Sequence, residues 1–406
     1  MSHRRTSNAG GIHRIVAGRG SISPVGPRSL CDNEEGCAEG CAMRILQLAP
    51  PWLSVPPLRY GGVEWIVSGL ADGLVDAGHE VTLVASGGSV TRAELDVVFG
   101  EPPFEQLGDA RIETIQALAA YRRRNDFDII HDHTAAVGPA LGALAVGPPV
   151  VHTLHHAWLD EQIRLARLIA PPVRLVAISH DQAARAPDDV PITAIVHNGI
   201  SVDRYPFTTD KDDYLLFVGR ASRDKGPEAA IEVARRLDRP LVMAMKTNEP
   251  HERAYWQEVL EPMIAADPTR MNLVPNPNHE RKAALMARAA AVVFPIEWAE
   301  PFGLVMPEAN ACGTPVVAFD MGAAREVIAH GKTGFVVPAG DLDAFCTAVE
   351  QTKDLRPVDC RAHVATWFST ERMVANYEQV YEAASTIDLR TPNQKVVVTG
   401  GGGLVA

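Results

Sequence analysis

No run of about 18 consecutive apolar residues occurs anywhere in the 406-residue chain, so no segment is expected to cross a bilayer as a helix. The first thirty positions hold Arg4, Arg5, Arg14 and Arg19 but no apolar stretch of signal-peptide length, which leads us to expect a cytoplasmic protein. Basic residues are the minority, 38 against 50 acidic ones, and the net charge of −12 argues against a general nucleic-acid partner. A local basic pocket for phosphates remains open to it. Of the six cysteines, Cys31, Cys37 and Cys41 lack histidines at zinc-finger spacing. Cys312, Cys346 and Cys360 are scattered, as free thiols are. No G-x-G-x-x-G follows the first apolar strand, which counts against an NAD-dependent dehydrogenase.

What remains is the composition of an ordinary globular protein, 46% hydrophobic and 22% charged, long enough for two or three cores. Residues 1–42 are rich in Gly, Ser, Arg and Asn without apolar periodicity and read as a disordered extension. From Met43 the pattern alternates. Met43-Arg44-Ile45-Leu46-Gln47-Leu48 reads as a buried strand. Val63, Ile66, Val67, Leu70, Leu74 and Val75 then recur at helical spacing, and Val81-Thr82-Leu83-Val84 is the next strand. Further strands fall at Asp128–His133, 149–156, 175–179 and 192–199, with a small-residue helix over 135–145. A polar stretch over 203–213 reads as a linker, after which the pattern restarts at Tyr214-Leu215-Leu216-Phe217-Val218-Gly219. Strands alternating with helices predict an α/β fold of two Rossmann-like, doubly wound parallel sheets facing across a cleft. The predicted boundaries are 43–208, 209–369, a helical segment 370–387 returning to the first domain, and a loose Gly-rich tail 388–406.

The centre of the pattern is Glu300-Pro301-Phe302-Gly303-Leu304-Val305-Met306-Pro307-Glu308. The apolar strand 290–295 runs into it, and Ala309-Asn310-Ala311-Cys312 continues at helical spacing to Gly313-Thr314-Pro315. A helix starting near Gly303 would offer unpaired N–H groups and its positive dipole end to an anion. Glu308 would lie about 7.5 Å further along the axis. Gly61-Gly62 opens the first helix, where glycine permits close approach to a phosphate or sugar, or makes a simple tight turn. Gly219-Arg220 and Lys225-Gly226 place two cations at a strand end, suited to a departing pyrophosphate or to plain surface.

The ordered set Tyr60-Gly61-Gly62-Val63-Glu64, Val196-His197-Asn198-Gly199, Gly219-Arg220 with Lys225-Gly226, and Glu300/Glu308 resembles the retaining family-four glycosyltransferases of GT-B fold. Gly313-Thr314-Pro315-Val316-Val317, Glu326-Val327-Ile328 and Gly331-Lys332-Thr333-Gly334 extend the resemblance, which spans residues 43–385. It implies that Glu308 holds the ribose of a sugar nucleotide, and that Arg220 and Lys225 grip its diphosphate. The backbone N–H groups of Phe302, Gly303 and Leu304 would hold the sugar and distal phosphate. Gly61 and Gly62 would close from the other domain, and Glu300 would contact the transferred sugar. His155 matches the family's active-site histidine, and His133 is a second candidate on the acceptor side. The resemblance implies no metal and no cofactor beyond the donor itself. Asp126-Phe127-Asp128 and His131-Asp132-His133 are accordingly read as structural.

Departures fall at Ala244-Met245-Lys246-Thr247-Asn248 and Val274-Pro275-Asn276-Pro277, around the expected base pocket, so the nucleotide base is left open. The expected reaction moves a sugar to an acceptor hydroxyl with retained configuration. A silent sugar-nucleotide-binding protein and a retaining glycoside hydrolase are the alternatives. The expected partners are a sugar-nucleotide donor and a hydroxyl acceptor, and a homodimer is compatible with the sequence.

Overall fold

The computed structural model describes residues 42–58 and 61–386, which form one compact unit. The expectations for residues 1–41, for Tyr60 and for the tail from 387 lie outside the described residues. Two sheets are built in chain order. The first uses β1 Arg44–Leu48, β2 Glu80–Ala85, β3 Glu94–Val97, β4 Ile129–Asp132, β5 Val150–Leu154, β6 Val173–Ala177 and β7 Ile192–Ile195. The second uses β8 Leu215–Arg220, β9 Leu241–Lys246, β10 Met271–Pro275, β11 Ala291–Phe294, β12 Val316–Phe319 and β13 Gly334–Val337.

The strand orders are β3-β2-β1-β4-β5-β6-β7 and β10-β9-β8-β11-β12-β13, and every pairing is parallel. The central strands are buried on both faces, which is why β1, β8, β11 and β12 read as continuous apolar runs rather than alternating ones. In each sheet the order reverses beside the first strand, so loops at the carboxyl ends of β1 and β4, and of β8 and β11, splay apart into a crevice. The α/β class and both parallel sheets are as the sequence indicates.

Four local differences have physical causes. The strand Glu94–Val97 and the helix Ala110–Arg122 carry too little apolar periodicity to stand out, and only their packed neighbours select them. The helix expected over 135–145 spans Val137–Leu144. The helical segment expected over 370–387 spans Thr370–Thr386 and follows a separate helix, Pro357–Trp367. They part where the chain leaves the second sheet for the first: Ile200 N–H donates to the Phe368 carbonyl, and Thr370 N–H donates to the Ile200 carbonyl. Both crossings between the halves therefore lie side by side.

The stretch 203–213 is pinned rather than loose. Tyr205 is buried, and Lys211 Nζ donates to the carbonyls of Ala287 and Cys312 and to Thr314. The Thr370–Thr386 helix packs on the first sheet's layer. Met373, Val374, Tyr377 and Tyr381 share a core with Ile45, Ile66, Leu70 and Val151. Tyr377 and Tyr381 are among the largest fully buried side chains of the described residues. No helix among these residues is long and apolar enough to cross a membrane. Cys312, Cys346 and Cys360 are free thiols.

Candidate active site

The Gly303 turn is set by the exit of β11. Phe302 is buried in the second core, and Gly303 takes φ +77°, the left-handed region that favours glycine. A Cβ there would stand 2.7 Å from Met306 Cε and 3.2 Å from Glu300 Cγ. The helix begins at Val305, two residues later than expected, and ends at Ala311. That shift leaves Phe302, Gly303 and Leu304 in the turn itself. Among the described residues none of their three N–H groups has a hydrogen-bond partner. Three consecutive unpaired donors suit an anion, because an unpaired peptide N–H in a shielded place is costly.

The two halves meet at this turn. Leu304 packs against the core of the first half, and its Cδ1 lies 3.4 Å from where a Cβ on Gly62 would be. Gly62 is the first residue of the Gly62–Asp76 helix. Gly61 precedes it with no room for a side chain: a Cβ would lie 2.7 Å from a Glu64 carboxylate oxygen. Glu64 is buried in the first turn, and burial pushes its carboxyl up to about 7 against a bond from its own N–H.

Arg220 ends β8 and pairs with Asp224 at 3.2 Å; both are partly exposed. Lys225 follows in the next loop, where its ammonium meets Glu300 and lies 4.7 Å from the Trp298 ring centroid. The Trp298 indole donates to the same Glu300 oxygen at 2.8 Å. Each expected cation thus has an acid beside it. A diphosphate arriving here would compete with Asp224 and Glu300 instead of finding bare positive charge.

Glu308 is buried at 4% exposure and does not stand open. Lys282 Nζ donates to both its oxygens at 2.6 and 2.7 Å, and the Tyr205 hydroxyl donates to one at 3.1 Å. Sequence reasoning missed Lys282 and Tyr205, since neither lies in a recognisable motif. Glu308 and Leu304 line a cavity of about 370 Å³ together with Trp65, Arg204, Tyr205 and His279. Trp65 and His279 come from opposite halves, their ring centroids 4.6 Å apart.

His155 and His133 leave the carboxyl ends of β5 and β4 and touch: Nε2 of His155 is 3.0 Å from Nδ1 of His133. His155 is partly exposed, whereas His133 is buried with its other nitrogen 2.8 Å from Gln47 Oε1. His133 was expected on the acceptor side; it has no ring nitrogen to spare and buttresses its neighbour instead. Burial, followed by repulsion from neighbouring histidines, pushes His131, His133 and His155 well below the ordinary histidine pKa. All three are neutral at pH 7. Gln47 and Tyr381, which complete the group, carried no signal in the sequence.

The structure therefore joins Gly62 with Leu304, Gly303 with Glu300, Lys225 with Glu300, and His133 with His155. No contact among the described residues links the histidines to Arg220 or Lys225. Glu326 of the resembling tail also bridges the halves. It accepts from the N–H groups of His180 and Asp181 at 2.7 and 2.6 Å, and from His197 at 2.9 Å. Burial opposes its ionisation, but His197 and the two N–H groups hold its pKa below the ordinary glutamate value. His180, His197 and Glu326 also gather potential metal-ligand atoms within 4.8 Å, as do Glu249, His251 and Glu252.

Two parallel, doubly wound sheets joined at a paired crossing, with an anion-suited turn between them, define a glycosyltransferase of GT-B architecture. Residues 203–362 match the family described as glycosyl transferases group 1, and residues 60–204 match Glycosyltransferase Family 4. Both families are of glycosyltransferases, and between them the two matches run from residue 60 to residue 362. It is 27% identical over 401 residues to a glycogen synthase of Mycobacterium tuberculosis, covering 84% of this chain and 95% of that one. It also resembles the crystal structure of AviGT4, a glycosyltransferase involved in avilamycin A biosynthesis. The TM-score there is 0.66 at 25% identity, covering 85% of this chain and 99% of the other. Anabaena Alr3699/HepE in complex with UDP and glucose shares the fold at TM-score 0.65 and 20% identity, covering 85% and 100%.

Proposed function

We propose that this chain is a retaining, metal-independent glycosyltransferase that moves a sugar from a nucleoside-diphosphate donor to an acceptor hydroxyl. One observation carries the reading: the Gly303 turn holds three unpaired N–H groups, within reach of the Lys225–Glu300 pair and against Gly62 of the opposite half. The UDP and glucose bound in the HepE structure support a sugar-nucleotide donor. In this reading 43–208 is the acceptor side, 209–369 holds the donor, and the segment 370–387 ties back to the first domain. The free thiols Cys312, Cys346 and Cys360 support a cytoplasmic setting.

The bond from the anomeric carbon to the β-phosphate oxygen breaks, and one from that carbon to the acceptor oxygen forms on the same face. The acceptor proton passes to the departing phosphate oxygen. Charge on that oxygen is the main cost, so catalysis rests on Arg220, Lys225 and the N–H groups of Phe302, Gly303 and Leu304. Donor binding frees Lys225 from Glu300, which then turns to the hydroxyls of the transferred sugar. Glu308, steadied by Lys282 and Tyr205, accepts from the ribose. Gly61 and Gly62 close over the diphosphate, and the partly exposed His155 faces donor sugar and acceptor. These groups supply the positive potential that a metal ion supplies elsewhere.

The test is a thermal-shift panel of UDP-, GDP-, ADP- and dTDP-glucose with and without EDTA, because a ligand specific for the native state raises its melting temperature. At least one donor should stabilise the protein equally in EDTA. Release of an α-glycoside from an α-donor, read by proton NMR, tests retention. Stabilisation by none of the four, or transfer abolished by EDTA, overturns the corresponding part.

A further inference from the structure

A line of buried polar groups starts at His155 and ends in the Thr370–Thr386 helix. His155 Nε2 meets His133 Nδ1 at 3.0 Å, and His133 Nε2 meets Gln47 Oε1 at 2.8 Å. Gln47 Nε2 donates to the Tyr381 hydroxyl at 3.2 Å and lies 3.4 Å from His131 Nδ1. The Tyr381 hydroxyl is 2.7 Å from His131 Nδ1, His131 Nε2 is 2.7 Å from Thr153 Oγ1, and that oxygen is 2.7 Å from the Tyr377 hydroxyl. Gln47, His131, His133, Thr153, Tyr377 and Tyr381 are all at most 2% exposed. Polar groups buried this deeply find their partners in one another, so their protons must be consistent from end to end.

We infer that Gln47, Tyr381 and His131 are positioning residues that fix the tautomer and orientation of His155 from the C-terminal helix. A carboxamide oxygen only accepts, so the proton between His133 and Gln47 sits on His133 Nε2. A neutral ring carries one proton, so His133 Nδ1 is bare and accepts from His155 Nε2–H. His155 is left with a bare Nδ1, an acceptor for a sugar hydroxyl. On the other side the Gln47 amide donates to Tyr381, whose hydroxyl donates to His131 Nδ1, and His131 Nε2–H donates to Thr153. One direction runs through the whole line, and turning any member reverses or breaks it. The Thr370–Thr386 helix belongs to the chain's return from the second half. The line therefore makes the state of His155 depend on how that helix is seated.

The inference rests on His155 facing substrate, but its test reads the ring directly and needs no activity. Long-range nitrogen–proton NMR on the full chain labelled at histidine reports each tautomer. His131, His133 and His155 should all be of the Nε2–H form. In Tyr381→Phe, which keeps the ring, the tautomer ratio of His155 should move by roughly fivefold, the scale of one net hydrogen bond. Gln47→Met, of similar shape but with no amide, should move it at least as far. Tyr381 and His155 do not touch, so a purely packing role for Tyr381 would leave the His155 signals unchanged. Mixed or Nδ1–H tautomers in the unaltered protein overturn the inference even if neither variant folds. Unchanged His155 signals in a folded Tyr381→Phe overturn it as well. If the tautomers hold while every sugar nucleotide fails to bind, the transferase reading falls and the hydrogen-bonded line stands.

Discussion

Replacing Glu64 with Gln should make the protein more stable at neutral pH and leave it little changed in mild acid. Burial raises this carboxyl from an ordinary 4.5 to about 7. Between those values the folded state keeps a proton that the unfolded state has released. Stability therefore falls as pH rises from the unfolded pKa through about 7, then levels off. The shift corresponds to about 3 kcal/mol in all, of which roughly 2 kcal/mol falls between about pH 5.5 and 7.5. Gln cannot ionise, so the stability difference between variant and parent should widen by that amount over this interval. For a chain of this size that is a melting-temperature gain of roughly 3 °C at the higher pH relative to the lower. Melts at the two pH values, each variant against parent, read the difference directly and cancel every other titrating group. A gap that stays constant with pH, or that narrows as pH rises, refutes the placement of a neutral carboxyl beside Gly61.

Two further outcomes concern the site. Arg220→Ala should lower turnover by roughly 100- to 1,000-fold, the scale for losing one preorganised stabiliser of a leaving group, and steady-state kinetics showing less than a threefold change would remove Arg220 from the reaction. Glu308→Ala should weaken donor binding and also cost stability, roughly 3 kcal/mol, because it strands Lys282 beside a buried gap; calorimetric titration and urea melts separate the two, and unchanged donor affinity contradicts the ribose role.

Much of the site was legible because its elements are local. Gly303 stands out where a strand of Val292, Val293 and Phe294 runs into a turn only glycine adopts easily, and Arg220 and Lys225 flank a strand end visible from its apolar run. The helix starts two residues later than its pattern suggests, since the left-handed turn at Gly303 holds Leu304 outside the helix and no propensity announces that. Gln47 hid inside a strand that reads as simple core, and Tyr381 hid in a helix over 330 residues away along the chain. Lys282 sits on an ordinary polar helix, and only its approach to Glu308 marks it.

Local pattern alone determined the α/β class, the two sheets and the turn, because apolar period and glycine placement act over a few neighbouring residues. Tertiary packing alone decided which charges are partnered. It set Glu300 against Lys225 and Lys282 against Glu308, and it closed the line from His155 to the returning helix. Those contacts join residues distant in sequence, and the free energy that selects them is the desolvation of polar groups, which exists only once the chain is folded.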